Sequence, residues 1–175
     1  MKVVTLLFLQ RKGQMLLAMK KRGFGVGKWN GVGGKVEQGE SVESAAIREC
    51  HEEIGVIPHN LKLMGRLQFF ERTDPEFHHD CYVYTASAWQ GDPIETDEMR
   101  PAWFKHHEIP YQKMWADDTL WIPFILRGQR FAGKVTLDGD HVYTHDIKIA
   151  PEFEAAGQIA PKELLKHDPR RTYES

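Results

Sequence analysis

Between Gly34 and Val56 the chain reads Gly34-Lys-Val-Glu-Gln-Gly-Glu40, then seven residues, then Arg48-Glu49-Cys50-His51-Glu52-Glu53-Ile54-Gly55-Val56. The run predicts a glycine loop followed directly by a helix. Ser41 suits the N-cap, Gly55 the residue after the last turn, and Pro58 lies just beyond it. Val42, Ala46, Cys50 and Ile54 recur every four residues and give the helix a core-facing stripe. Glu49, Glu52 and Glu53 fall within an arc of roughly 100° on the same helix. An amphipathic surface helix accounts for the stripe but not for acids beside it. Three like charges this close repel unless a cation sits among them. Hard carboxylate oxygens favour Mg²⁺, with Mn²⁺ as a substitute, and Mg²⁺ commonly bridges protein acids to substrate phosphates. The helix points to metal-assisted chemistry on a phosphate compound.

The rest of the chain sets the frame. Its 175 residues suit one domain with a substantial core, and 41% apolar with 27% charged residues is ordinary globular composition. A net charge of −2 gives no general attraction to polynucleotides or anionic membranes. No segment approaches the ~20 apolar residues of a membrane span. Two cysteines, Cys50 and Cys81, make no disulfide framework, so both read as reduced thiols of a cytoplasmic protein. Residues 3–9 resemble a signal peptide only at first sight. The apolar run is short and Gln10-Arg11-Lys12 follows it, so a buried strand is expected.

Residues 3–9 and 15–19 read as a hairpin. Residues 23–34, rich in glycine, read as an active-site loop without regular structure. Further strands are expected at 61–71, 81–88 and 101–104, with a polar turn at 73–80. A second helix runs from Asp117 or Asp118 to Arg127 despite Pro123, and a closing hairpin spans 131–137 and 141–149. Strands and helices mix without strict alternation, which predicts a mixed sheet flanked by helices. The domain is expected to cover residues 1–150. Residues 151–175, with three prolines and many charges, form a tail that is poorly ordered or holds one short helix near 162–166.

Some residues carry two readings. Lys20-Lys21-Arg22 precedes the glycine loop, where a triphosphate could meet it, though short basic runs are usually solvated edges. Arg48, one turn before Glu52, should orient and neutralise the acids. Asp117-Asp118 is either a helix-cap pair or two neighbouring carboxyls, of which one keeps a proton, so that the pair offers both a hydrogen-bond donor and acceptors. Trp115 beside them offers a stacking face. The nine histidines show no metal spacing and are expected at the surface.

The glycine–glutamate run resembles the motif of the Nudix hydrolases at every fixed position, with Cys50 as the small apolar residue. Met19-Lys20-Lys21-Arg22-Gly23-Phe24-Gly25, Lys28-Trp29-Asn30-Gly31, Asp97-Glu98-Met99-Arg100-Pro101 and Met114-Trp115-Ala116-Asp117-Asp118 extend the likeness over roughly residues 3–149. They are similar to the MutT-like members that clear oxidised purine nucleotides. The resemblance implies an α/β/α sandwich and Mg²⁺-dependent hydrolysis of substrates such as 8-oxo-dGTP and 2-hydroxy-dATP to the monophosphate and pyrophosphate, by a monomer. Carried over, the metal ligands would be Glu49, Glu52, Glu53 and Glu98 with the Gly33 carbonyl. Thr5, Lys20, Asn30, Val32, Gly33, Gly34, Lys35, Trp115, Ala116, Asp117 and Asp118 would touch the nucleotide, and Phe24, Phe69 and Met99 would line the base pocket. Val32 and Ala116 stand where those relatives carry phenylalanine and proline. The general base is Glu53, Glu52 or Glu98, with Glu53 preferred for its place nearest the apolar stripe. Two other functions fit the same motif: hydrolysis of a nucleotide sugar, dinucleotide polyphosphate or methylated purine triphosphate, and nucleotide binding without catalysis.

Overall fold

The computed structural model describes residues 1–150; the tail and the helix expected near 162–166 lie outside the described residues. Strands β1 (Lys2–Arg11), β2 (Gln14–Lys20) and β3 (Trp29–Asn30) precede helix α1 (Val42–Ile54). Then come β4 (Ile57–His59), β5 (Lys62–Glu71), β6 (His78–Ala86), β7 (Ala88–Gln90) and β8 (Met99–Lys105), helix α2 (Asp118–Leu126), and strands β9 (Phe131–Asp138) and β10 (His141–Ile149). The main sheet runs β10-β9-β5-β6-β1-β2-β3, with β8 also on β2. The β1–β6 and β5–β9 pairs are parallel and the others antiparallel. The sheet is therefore mixed, as expected.

Alternation along β1 explains the two layers of core. Leu7 and Leu9 join Val42, Ala46, Cys50 and Ile54 of α1 on one face. Phe8 joins Trp121, Ile122 and Ile125 of α2 on the other. A strand buried on both faces reads as a continuous apolar run, which is why residues 3–9 mimic a leader.

The first hairpin differs from expectation in an informative way. β1 and β2 pair only at Gln10↔Met15 and Arg11↔Gln14. Beyond that point they part, and β2 pairs along its whole length with β8. The backbone groups left on β1 are met by the glycine-rich loop, through Leu7 N–H to Val32 O at 2.7 Å, Thr5 N–H to Gly34 O at 2.9 Å and Val36 N–H to Val3 O at 3.0 Å. Exposed strand groups must find partners; here the loop supplies them and is fixed in return. The loop is not wholly irregular either, since Trp29 and Asn30 pair with β2.

Other boundaries moved. β6 starts at His78, in what reads as a polar turn, and ends at Ala86. Ala88–Gln90 leaves it to pair with β4, a two-strand ribbon too short to signal itself in sequence. Among the described residues no helix is long and apolar enough to cross a membrane.

Candidate active site

Helix α1 is capped as its sequence suggests. Ser44 N–H donates to Ser41 Oγ at 3.1 Å, and Gly55, at φ 74°, donates to His51 O at 2.9 Å. The C-terminal end also anchors the loop before β8: Ile94 N–H donates to Ile54 O and the Thr96 hydroxyl to Glu53 O at 2.8 Å. These bonds bring Glu98 to the acids of α1. Thr96 is a positioning residue that the sequence alone did not single out.

Arg48 is the hub of the acidic cluster. Its guanidinium forks onto Glu40 at 2.7 and 3.1 Å, and donates to Glu49 at 2.9 Å, Glu52 at 3.2 Å and the Lys35 carbonyl at 3.0 Å. The bidentate partner is thus Glu40, the last residue of the glycine segment, and not one of the three helix acids. Arg48 lowers the Glu40 pKa. Burial raises Glu49 against the opposing pull of Arg48.

Glu53 is unlike the others. It is only 5% exposed, and its carboxylate accepts the Gly33 N–H at 3.0 Å. Burial pushes its pKa up to about 8, opposed by that N–H and by nearby Lys20; Glu49 and Glu98 push the same way as burial. The position of Lys20 beside Glu53 sets it apart from a solvated edge. Lys21 and Arg22, in contrast, pair outward with Glu95 and Glu98.

Two glycines let backbone and acids approach. A Cβ on Gly34 would lie 2.5 Å from the Glu49 carboxyl, and one on Gly33 would run into the Thr5 carbonyl of β1. Glu49 could swing aside; a core strand backbone cannot. Gly33→Ala should therefore destabilise the fold by on the order of 3 kcal/mol and reduce turnover with it. Chemical denaturation alongside a rate assay checks this, and a Gly33→Ala protein with wild-type stability would show that the loop is not clamped.

The donor set Glu49, Glu53 and Glu98 is all oxygen and mutually repulsive, which fits a small hard divalent ion; Glu49 would give up its bond from Arg48 and Glu98 its pair with Arg22 to hold one. Glu52 is exposed and held by Arg48, so it would have to release that bond to join. In the resting arrangement no three such side chains converge among the described residues, because Arg48 and Gly33 hold the acids apart.

Gly33 and Gly34 also form one wall of a cavity of about 240 Å³. Val4, Thr5 and Leu6 of β1, Asn30, Phe69 of β5 and Cys81 of β6 continue it. Trp115, Asp117, Asp118 and Trp121 complete the lining. Phe24 lies over Trp115, ring centroids 5.1 Å apart, and is 76% exposed.

Asp117 holds the N-cap position of α2 but makes no capping bond. Its carboxylate accepts the Trp121 indole N–H at 2.8 Å, while Asp118 accepts the Trp115 N–H at 3.1 Å. Both carboxyls are buried, Asp118 to 1% exposure. Burial raises Asp117, and burial together with the Asp117 charge drives Asp118 well above its ordinary value. The cap reading fails on this geometry.

A carboxyl whose pKa is raised by folding stabilises the fold only while protonated. That contribution is complete below the unfolded value near 3.9 and is lost as pH rises through the folded value. Asp118→Asn, neutral at every pH, should therefore gain stability over wild type as pH rises above about 4. Urea denaturation across pH would show it; a constant difference would mean that Asp118 folds already ionised.

Nine of the expected nucleotide-site residues meet in the cavity: Thr5, Phe24, Asn30, Gly33, Gly34, Phe69, Trp115, Asp117 and Asp118. Lys20 and the four glutamates lie on the acid side with the Lys35 carbonyl, while the charge of Lys35 acts on His79. Three placements differ. Val32 and Met99 are buried in the core cluster on the α1 side, away from the lining; Val32 sits there through its bridge to Leu7 and Met99 at the start of β8. The Ala116 side chain is exposed. The departures at Val32 and Ala116 thus leave the cavity wall unaltered. Phe77, His79 and Leu137 line the cavity unannounced. Expecting His79 at the surface was wrong because its strand begins three residues earlier than the sequence pattern suggested.

A NUDIX domain model matches residues 1–124. The chain belongs to the Nudix family. It is 45% identical over 153 residues to the oxidized purine nucleoside triphosphate hydrolase of Danio rerio, covering 87% of this chain and 94% of that one. It is 37% identical to the Mus musculus enzyme of the same name, covering 87% and 97%. Among solved structures, a mutator MutT protein from Bacillus halodurans shares the fold with a TM-score of 0.76 at 24% identity, covering 86% of this chain and all of that one. Nudix membership brings with it the expectation of a divalent cation, which the oxygen donors of α1 and Glu98 suit.

Proposed function

We propose that this Nudix protein hydrolyses oxidised purine nucleoside triphosphates such as 8-oxo-dGTP and 2-hydroxy-dATP to the monophosphate and pyrophosphate. The observation that carries this reading is the shared wall. Gly33 and Gly34 border both the acidic cluster and an apolar cavity that also has two buried carboxyls in its lining. A triphosphate lying against the acids has its base in that cavity. The Danio rerio and Mus musculus relatives, named for this class of substrate, support it.

Each part follows from its residues. Glu49, Glu53 and Glu98, with Glu52 on release from Arg48, would hold Mg²⁺, and Mn²⁺ would serve. Such an ion supplies charge neutralisation at the phosphate oxygens and acidifies a water. Glu53, buried beside Glu49 and Glu98 and anchored by the Gly33 N–H, is the residue assigned to take the proton from the attacking water. Arg48 keeps the acids oriented, and Lys20 and Lys35 offer positive charge to phosphate. No covalent nucleophile is required. Trp115 and Phe24 stack on the base, and Asp117 with Asp118 reads its edge through one retained proton.

Phosphate release from a nucleotide panel, with added pyrophosphatase and with or without Mg²⁺, tests the reading. Mg²⁺-dependent release from oxidised purine triphosphates is expected. Faster release from a nucleotide sugar, dinucleotide polyphosphate or methylated purine triphosphate would move the protein elsewhere in the family, and binding without release would make it a non-catalytic module.

A further inference from the structure

Strand β6 turns His79 and Cys81 to one face, and both line the cavity together with Phe77, which precedes the strand. Cys81 marks the depth of the acid pair, since Asp117 and Asp118 both act on its thiol. His79 lies two residues nearer the start of the strand, about 6.6 Å away along it. That distance is comparable with the width of a purine. Phe69 stands directly across from His79 in register, and Phe77 packs on it with ring centroids 4.3 Å apart. Its ring neighbours are therefore aromatic, and the imidazole is the polar group of the lining at that end, with the charges of Lys2 and Lys35 acting on it from outside the lining.

Its ring nitrogens have no protein hydrogen-bond partner among the described residues. Burial, then Lys2, Lys35, His78 and the N-terminal amine, push its pKa down and keep the ring neutral. A neutral imidazole carries one N–H donor and one acceptor. A half-buried polar ring among phenylalanines is unfavourable unless something meets it.

We propose that His79 is a specificity-determining residue that hydrogen-bonds the five-membered-ring edge of the substrate base, opposite the edge read by Asp117 and Asp118. The inference rests on the oxidised-purine reading above. In 8-oxoguanine that edge carries a C8 oxygen and an N7–H, which meet an imidazole donor or acceptor. In 2-hydroxyadenine the added oxygen lies on the six-membered ring, and C8 keeps only hydrogen. His79 should therefore favour the first base over the second.

The test is kcat/KM for 8-oxo-dGTP and 2-hydroxy-dATP in wild type, His79→Leu and His79→Gln, with Mg²⁺ present and a thermal melt for each protein. His79→Leu should lower efficiency on 8-oxo-dGTP about tenfold more than on 2-hydroxy-dATP, chiefly through KM. His79→Gln, which keeps a donor and an acceptor, should recover part of that loss. An equal fall on both substrates would place the contact on the common sugar or make it simple packing, and no change would make His79 a bystander; either overturns the inference. If His79→Leu does not fold, His79→Met takes its place: a larger loss on 8-oxo-dGTP than on 2-hydroxy-dATP that His79→Gln partly recovers supports the polar contact, and an efficiency ratio that neither replacement moves overturns it. A wild-type protein hydrolysing neither nucleotide sinks the functional reading first, and the inference with it.

Discussion

Glu53→Gln should leave a folded protein whose turnover falls by roughly 10²–10⁴-fold. The side chain keeps its size and one hydrogen-bond acceptor for the Gly33 N–H, so the loop stays clamped. What disappears is a buried negative charge crowded by Glu49 and Glu98. The metal-free mutant should accordingly melt no lower than wild type near pH 4, with its advantage growing as pH rises toward about 8, where wild-type Glu53 ionises. Rate assays at saturating Mg²⁺ and thermal melts with EDTA separate the two effects. A near-wild-type rate would remove Glu53 from both the catalytic and the ligand role.

Asp117→Asn and Asp118→Asn should each change the preference between 8-oxo-dGTP and 2-hydroxy-dATP. Asparagine is nearly isosteric but cannot exchange a proton, so it presents one fixed donor pattern. The two bases need different patterns. The pair is held by the Trp121 indole and the Trp115 backbone, so its geometry should survive. A mismatched buried hydrogen bond costs about 1–3 kcal/mol, or roughly ten- to over a hundredfold in the efficiency ratio. Measuring kcat/KM for both substrates at one pH and one Mg²⁺ concentration decides it. Equal losses would reduce the pair to a structural role.

Sequence was most informative where spacing is tied to backbone geometry. The cap at Ser41, the left-handed Gly55 and the four-residue stripe of α1 all follow from local rules, and the structure has each in place. The acids of that helix were visible because they defy the amphipathic pattern. Glu40 and Thr96 were hidden for the opposite reason. Their partners, Arg48 and the end of α1, come from other segments, and nothing local marks such bonds. The parting of β1 from β2 was equally hidden, since it depends on the loop at 32–36 taking over the edge of β1. Val32 and Met99 were expected to meet nucleotide, whereas both are buried in the cluster that packs against α1, Val32 through its bridge to Leu7. His79 went unnoticed because Phe77 and the histidines look like a turn until β6 is extended to His78.

The exposed Phe24, lying over Trp115 at the cavity rim, carries a calorimetric consequence. Without ligand, much of its ring faces water, as do parts of Phe69, Phe77 and Leu137 along the wall. A purine slid among them withdraws apolar surface from solvent, and such withdrawal lowers the heat capacity of the system. Titration calorimetry of a product monophosphate at several temperatures should yield a binding enthalpy that grows more negative on warming. Phe24→Ser should flatten that slope, leaving the hydrogen bonds of the acid pair as the temperature-insensitive remainder of recognition.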